Sequence, residues 1–165
     1  MEERGGGVAE LLGTHSYSLD PKGRVSLPVR FRAAFDEGLW LTVGQDRCLY
    51  CFPRAEWERR SNEVDAFALS DRDGRAFSRL FFSSADQAKL DAQGRVTIPQ
   101  RLRDAVGIKK DVVVLGVRER IEIWERGEFE RYRDLHVDAY ENGDLDPRGP
   151  RSPDPQSPDL RSRGT

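Results

Sequence analysis

A segment of 17 residues occurs twice in this chain of 165 residues, as LDPKGRVSLPVRFRAAF over 19–35 and as LDAQGRVTIPQRLRDAV over 90–106. Nine positions are identical, and the match resumes one residue out of step where Gly44 aligns with Gly116. Chance does not produce such agreement. A repeat array buries a continuous core only from about three units upward. Two copies therefore predict two related modules that pack against each other, and not a solenoid.

Each copy has the same pattern of predicted elements: strand, loop, strand, short helix and hairpin. Val25 and Leu27 alternate with polar residues, as in a half-buried strand, and the second copy repeats this alternation. We expect Pro28 and Pro99 to end these strands and to be the first residue of a short helix, and Gly107 to close the second helix. Hairpin strands are predicted over 39–43, 48–52, 112–115 and 120–124.

The sequence between and around the copies completes the predicted organisation. Two helices are expected between the repeats, over 53–70 and 76–85, and five of the nine prolines follow Tyr140 in a polar background. The fold class is mainly β with helices (α+β). The predicted segments are a flexible leader over 1–13, a first domain over 14–60, a helical linker over 61–84, a second domain over 85–132 and a C-terminal segment over 133–165, disordered from about 144.

The charge balance does not by itself indicate a nucleic-acid partner. The chain has 27 Lys and Arg against 29 Asp and Glu, a net charge of -2. The two predicted domains, however, each carry a net positive charge, and the acidic excess lies outside them. A nucleic-acid hypothesis must therefore rest on where the arginines are placed.

The composition also bears on the compartment. No apolar stretch approaches the roughly 20 residues that span a bilayer, and two cysteines are too few for a disulfide-built secreted scaffold. The MEERGGG start has no signal-peptide pattern. We expect a soluble protein in the reducing cytoplasm, with no membrane partner.

The motif Asp-x-x-Gly-Arg joins the first two strands of each copy, at residues 20–24 and 91–95. Asp20 and Asp91 are suited to accept backbone N–H groups in a turn, and Gly23 and Gly94 supply the positive φ that other residues adopt only at a cost. An arginine follows each glycine at the start of a strand. A rigid turn that presents a planar guanidinium can contact phosphate or the O6/N7 edge of guanine.

Two interpretations of these charged residues stay open. For the aspartates we favour a structural role, because a carboxylate repels phosphate and stabilises turns. Arg24 and Arg95 either form only an ion pair within the loop or contact nucleic acid, and we favour the nucleic-acid contact. Arg32 and Arg103, on the polar side of the following helix, are either phosphate contacts or solvated surface residues.

The doubled LDxxGRVxxP element, the aromatic-rich linker and the closing LYCFPRAEW and IEIWERGEF segments resemble the MraZ family of bacterial transcriptional regulators. Each half resembles a SpoVT-AbrB domain. The resemblance implies a pseudo-symmetric β-barrel of two swapped hairpins and closed homo-oligomeric rings. It also implies binding to repeated DNA boxes upstream of the regulator's own division and cell-wall operon, in the nucleoid.

Transferred to this sequence, the family signature falls on Asp20 and Arg24, and again on Asp91 and Arg95. In related domains an arginine after the strand-ending proline also contacts DNA, and Arg32 and Arg103 hold that place. Ala33 and Asp104 follow them where a second basic residue can occur, which weakens the predicted helix contribution. Lys22 has Gln93 as its counterpart, so we expect the first loop to bind DNA more tightly.

Other functions are less well supported by the residues. Cys48 and Cys51 form a C-x-x-C, but they lie in an alternating apolar strand without further ligands, so we expect them to pack in a core. No nucleophile, metal or phosphate-loop motif accompanies the two histidines, so we expect no enzyme, cofactor, metal or small-molecule substrate. An antitoxin or other protein-binding module is the alternative, because related AbrB-like domains bind toxins through their tails.

Overall fold

The structure is a computed structural model, and it describes residues 10–69 and 71–148. Within these residues the chain forms eight strands and five helices. The strands are β1 (Leu11–Ser18), β2 (Arg24–Ser26), β3 (Leu39–Val43), β4 (Leu49–Pro53), β5 (Asp86–Ala88), β6 (Arg95–Thr97), β7 (Asp111–Arg118) and β8 (Ile121–Glu125). The helices are α1 (Val29–Arg32), which a 3-10 turn over Ala33–Phe35 continues, α2 (Arg54–Ala68), α3 (Arg72–Ser83), α4 (Gln100–Val106) and α5 (Arg126–Glu141).

The strands form one six-stranded antiparallel sheet in the order β1-β7-β8-β4-β3-β5, and a separate two-stranded antiparallel ribbon of β2 and β6. The two repeats exchange strands in both layers. The first strand of each repeat pairs with a hairpin strand of the other repeat: β1 of the first repeat pairs with β7 of the second, and β5 of the second repeat pairs with β3 of the first. The two strands that each Asp-x-x-Gly-Arg loop joins therefore pair with the other repeat and not with each other. The mixed α+β fold and its repeat organisation are confirmed.

The sheet and the ribbon share one hydrophobic core. Val25 and Val96 of the ribbon are fully buried and lie in the same cluster as Leu41 of β3, Val114 of β7 and Ile123 of β8. Short helices α1 and α4 add Phe31 and Leu102 to this core. Both repeats contribute buried residues to this one cluster, at roughly matching positions, so neither repeat has a complete core of its own.

One local prediction is confirmed and others are wrong. Gly107 closes α4 in the left-handed region, with φ of 71°. Pro28 and Pro99 are N-caps with extended backbone and not the first helical residues, since α1 begins at Val29 and α4 at Gln100. The leader was predicted to extend to residue 13, but β1 begins at Leu11, whose side chain is fully buried.

Helices α2 and α3 form where the helical linker was predicted, although α2 begins before it, at Arg54. Helix α3 begins at Arg72, four residues earlier than predicted, because the Asp71 side chain caps it by accepting the Gly74 N–H. The two helices share a small cluster of Phe52, Val64 and Phe81. None of the described residues belongs to a helix that is long and apolar enough to span a membrane.

Two units can be separated in the chain, residues 1–129 and 130–165. The first holds both repeats. In the second, α5 continues to Glu141, a helix that the sequence analysis did not predict, and the Tyr132 and His136 rings lie 4.4 Å apart. The predicted disorder from about 144 falls mostly on residues 149–165, which lie outside the described residues.

Candidate nucleic-acid interface

The ribbon of β2 and β6 places both signature arginines on one face. Arg24 pairs with Thr97 and Ser26 pairs with Arg95 across the ladder, and Val25 pairs with Val96 between them. Because side chains alternate along a strand, the valines face the core and the other four side chains share the opposite face. The two arginines are diagonal neighbours across the ribbon, and residues in such a pair are roughly 7 to 8 Å apart, which is within reach of long side chains.

Each loop is held by its aspartate in the same way. In the first loop, Asp20 Oδ1 accepts the backbone N–H groups of Lys22 and Arg24, each at 2.9 Å, and Asp20 Oδ2 accepts the Arg24 Nε–H at 2.6 Å. Asp91 makes the same three bonds to the backbone of Gln93 and to the backbone and Nε of Arg95. The predicted structural role of both aspartates agrees with this geometry.

These bonds stabilise the ionised carboxylates. The Arg24 backbone N–H, followed by its side chain and the Lys22 N–H, holds the pKa of Asp20 below its usual value against a smaller opposing effect of desolvation. The corresponding groups of Arg95 and Gln93 lower the pKa of Asp91. Both aspartates are therefore charged at neutral pH, and each orients its arginine through the Nε–H.

The side chains of both signature arginines are partly exposed. The side chains of Arg24 and Arg95 are 28% and 27% exposed. Because Asp20 and Asp91 occupy the Nε positions, Nη1 and Nη2 remain as a fork that two acceptor atoms can bind. The two sites differ in one respect, since Arg95 Nη1 also lies 3.7 Å from Asp20 Oδ2.

Backbone bonds between the repeats fix the two loops beside each other. The Leu27 N–H donates to the Gly94 carbonyl at 3.0 Å, and the Ile98 N–H donates to the Gly23 carbonyl at 2.9 Å. Both glycines have positive φ, 75° at Gly23 and 73° at Gly94, as the sequence predicted. The loops are thus part of one interlocked structure.

Arg32 and Arg103 each bond a backbone carbonyl just after the ribbon strand of their own repeat. The Arg32 Nε–H donates to the Leu27 carbonyl and the Arg103 Nε–H donates to the Ile98 carbonyl, both at 3.1 Å. Both side chains are partly buried. Lys22, in contrast, is exposed at the tip of the first loop.

Arg30 and Arg101 belong to the basic residues that are concentrated in the two repeats, but their contacts were not predicted. The Arg30 Nη2 group donates to the Leu12 carbonyl at 2.7 Å and contacts His15, and Arg101 Nη1 donates to the Ser84 carbonyl at 3.0 Å. Each arginine precedes Arg32 or Arg103 by two residues in the repeat, so the repeat itself carried the signal. Their contacts lie beside the edges of the sheet.

The two cysteines have separate surroundings. Cys51 lies in the main core, whereas Cys48 packs with Trp124 in a different cluster. Both are free thiols, and burial raises the pKa of each. The expectation that they pack in cores is confirmed.

Comparison with known proteins identifies the family. The family model described as "MraZ protein, putative antitoxin-like" matches this chain twice, over residues 11–80 and 81–141. The chain belongs to the MraZ family. Its two MraZ segments each contain one Asp-x-x-Gly-Arg loop, so the internal repeat and the family match coincide.

Curated MraZ relatives cover most of the chain. The protein of Salinispora arenicola is 46% identical over 121 residues, which are 73% of this chain and 85% of that protein. The relative from Saccharopolyspora erythraea is 43% identical over 129 residues (78% and 90%), and the one from Heliobacterium modesticaldum is 38% identical over 130 residues (79% and 91%). All three are named transcriptional regulator MraZ.

Proposed function

We propose that this protein is a transcriptional regulator that binds double-stranded DNA sequence-specifically through the ribbon of β2 and β6. The observation that carries the proposal is the placement of Arg24 and Arg95 on one face, each oriented by its own aspartate. A two-stranded ribbon fits the major groove, and an arginine fork pairs with O6 and N7 of guanine. The names of the relatives support the same function.

The finer assignments extend this proposal. The DNA targets are repeated boxes upstream of a division and cell-wall gene cluster that includes the protein's own gene, and the protein acts in the cytoplasm at the nucleoid. Lys22, Arg24 and Arg95 form the contacts, with Asp20, Gly23, Asp91 and Gly94 shaping the loops. Arg32 and Arg103 assist from the helices.

Multivalent binding compensates for the low charge of one ribbon. Each signature arginine is paired with a carboxylate, so a single ribbon has little excess positive charge. In a homo-oligomeric ring, several ribbons face tandem boxes, and effective concentration raises the affinity of the whole assembly. No catalytic step, cofactor or small-molecule substrate is part of this function.

The test is a mobility-shift titration on the duplex upstream of the protein's gene. At physiological salt, Arg24→Ala is expected to abolish the shift and Arg95→Ala to weaken it less, because Arg95 is also engaged by Asp20. Arg54→Ala is the matched control: it removes an exposed arginine of α2 that pairs with Glu58. Wild-type binding by Arg24→Ala, with an unchanged oligomer, would overturn the assignment.

A protein-binding function is the second candidate, favoured by the antitoxin-like description of the family. Truncation before Asp144 separates the two. A DNA regulator keeps its affinity for the upstream duplex after truncation, whereas an antitoxin that wraps a toxin with its tail loses its partner.

A further inference from the structure

Arg32 and Arg103 reach across the repeat boundary. Arg32 lies against Gly94 so closely that a Cβ added at Gly94 would overlap its guanidinium and its Cδ. Arg103 lies against Gly23 in the same way, with its Cζ 2.8 Å from the position of such a Cβ. The helix arginine of each repeat therefore packs on the loop glycine of the other repeat.

A shared backbone residue fixes each of these contacts. Arg32 donates through Nε to the Leu27 carbonyl, and the Leu27 N–H bonds the Gly94 carbonyl. Arg103 donates to the Ile98 carbonyl, and the Ile98 N–H bonds the Gly23 carbonyl. Each arginine thus holds both the strand end of its own repeat and the loop of the other.

From this geometry we infer that Arg32 and Arg103 are crossed positioning residues: Arg103 holds the first loop and its Arg24, and Arg32 holds the second loop and its Arg95. The inference rests on the proposed function where it concerns DNA. It assigns the helix arginines a role that acts through the opposite loop and not through a phosphate contact of their own.

The first test needs no DNA. Amide hydrogen exchange followed by NMR should show that Arg103→Ala speeds exchange at Gly23 and Arg24 by about tenfold while the amides of the second loop change little. Arg32→Ala should produce the mirror result. Arg101→Ala is the control, because it removes an arginine from the same helix whose contacts are Ser84 and Asp86.

Equal acceleration in both loops, or acceleration confined to the loop of the substituted repeat, would overturn the inference. Arg103→Lys provides a milder variant should the alanine variant fail to fold. Lysine keeps the positive charge but lacks the Nε–H and the planar group over Gly23, so it should reproduce the exchange pattern of the alanine variant. Wild-type exchange in Arg103→Lys would contradict the proposed role.

The second test is a pair of double-mutant cycles for affinity to the upstream duplex, measured at low salt, where the weakened Arg24→Ala variant still binds measurably. Arg103→Ala should weaken binding by about tenfold in the wild-type background and by less than about twofold when Arg24 is already alanine. Its effect should be unchanged in the Arg95→Ala background. Additive effects with Arg24→Ala would overturn the crossed assignment. If the wild-type protein does not bind the duplex, the proposed function fails, and the exchange experiment still decides the positioning role.

Discussion

Gly23 and Gly94 each meet two requirements at one position. The backbone there has φ of 75° and 73°, and a guanidinium from the other repeat occupies the place of a side chain. The sequence predicted the first requirement from the turn motif. It could not predict the second, because the contacting arginines come from helices of the opposite repeat.

A glycine substitution separates the two requirements. Gly94→Ala is expected to destabilise the protein more than Gly107→Ala, which has a similar φ of 71° but meets only the end of Arg47 at 3.4 Å. The left-handed backbone alone costs about 1 kcal/mol, and the overlap with Arg32 adds at least about 1 kcal/mol. Urea unfolding measures both variants. Equal losses would show that Arg32 moves away without cost.

The loop aspartates predict an acid-dependent loss of stability. Their folded-state pKa values are lowered, mainly by the backbone N–H groups of Arg24 and Arg95. A lowered folded pKa contributes stability that is present above the unfolded value of 3.8 and is lost as pH falls through the folded value. The variant carrying Asp20→Asn and Asp91→Asn should therefore lose less stability between neutral and strongly acidic pH than the wild type. Parallel urea midpoints across this pH range would contradict the assignment.

At the scale of elements, the ribbon is the shortest sheet and yet it positions the whole site. Three residues in each strand suffice because Val25 and Val96 anchor it in the core. The alternation of apolar and polar residues predicted both strands and the outward direction of the arginines. The pairing of β2 with β6 could not be predicted from the local pattern, since the two strands are about 70 residues apart in the sequence.

The other differences between the predicted and the observed elements are local. Pro28 and Pro99 are the N-caps of α1 and α4, so these helices begin one residue later than predicted, and β2 and β6 end two residues before the prolines rather than at them. Helix α5 was not predicted, although Phe129, Tyr132 and Leu135 recur along it at helical spacing. Trp57 of its counterpart α2 aligns with Phe129 of α5, so the repeat itself carried a signal for this helix.

Substitution of the valine pair tests the anchor. Val25→Ala removes two methyl groups from a fully buried site, which should cost about 2 kcal/mol in unfolding free energy. Val96→Ala should cost a similar amount, and the double variant less than the total, because the two side chains share one place in the core. Val64→Ala is the control, since Val64 lies in a different cluster and should add independently to Val25→Ala. Strict additivity of the valine pair would contradict a shared anchor.

At the scale of the whole molecule, strand exchange makes the repeats interdependent. The six-stranded sheet contains strands of both repeats, and the two edge strands β1 and β5 each pair only with a strand of the other repeat. The tandem duplication could be predicted from the sequence itself, whereas the exchange of strands between the repeats was predicted from the family resemblance. The boundaries of the two predicted domains stay a prediction.

Fragments test this interdependence. Two fragments that divide the chain at residue 70 should each fail to fold as a monomer. The first fragment lacks β7, the partner of β1, and the second lacks β3, the partner of β5. Mixing the pieces should restore the circular dichroism spectrum and the cooperative unfolding of the intact protein. Cooperative unfolding of either fragment as a monomer would contradict the exchanged core.

The proposed DNA contact of the β2–β6 ribbon is tested by a salt titration of affinity for the upstream duplex, measured by fluorescence anisotropy. Removing both signature arginines, with Arg24→Ala and Arg95→Ala combined, should weaken binding and lower the slope of log K against log salt by about one for each phosphate that the protein no longer neutralises. Discrimination against a scrambled duplex should fall if the forks read bases. An unchanged affinity, slope and discrimination, in a protein that keeps its fold and oligomeric state, would show that the ribbon is not the DNA-binding surface.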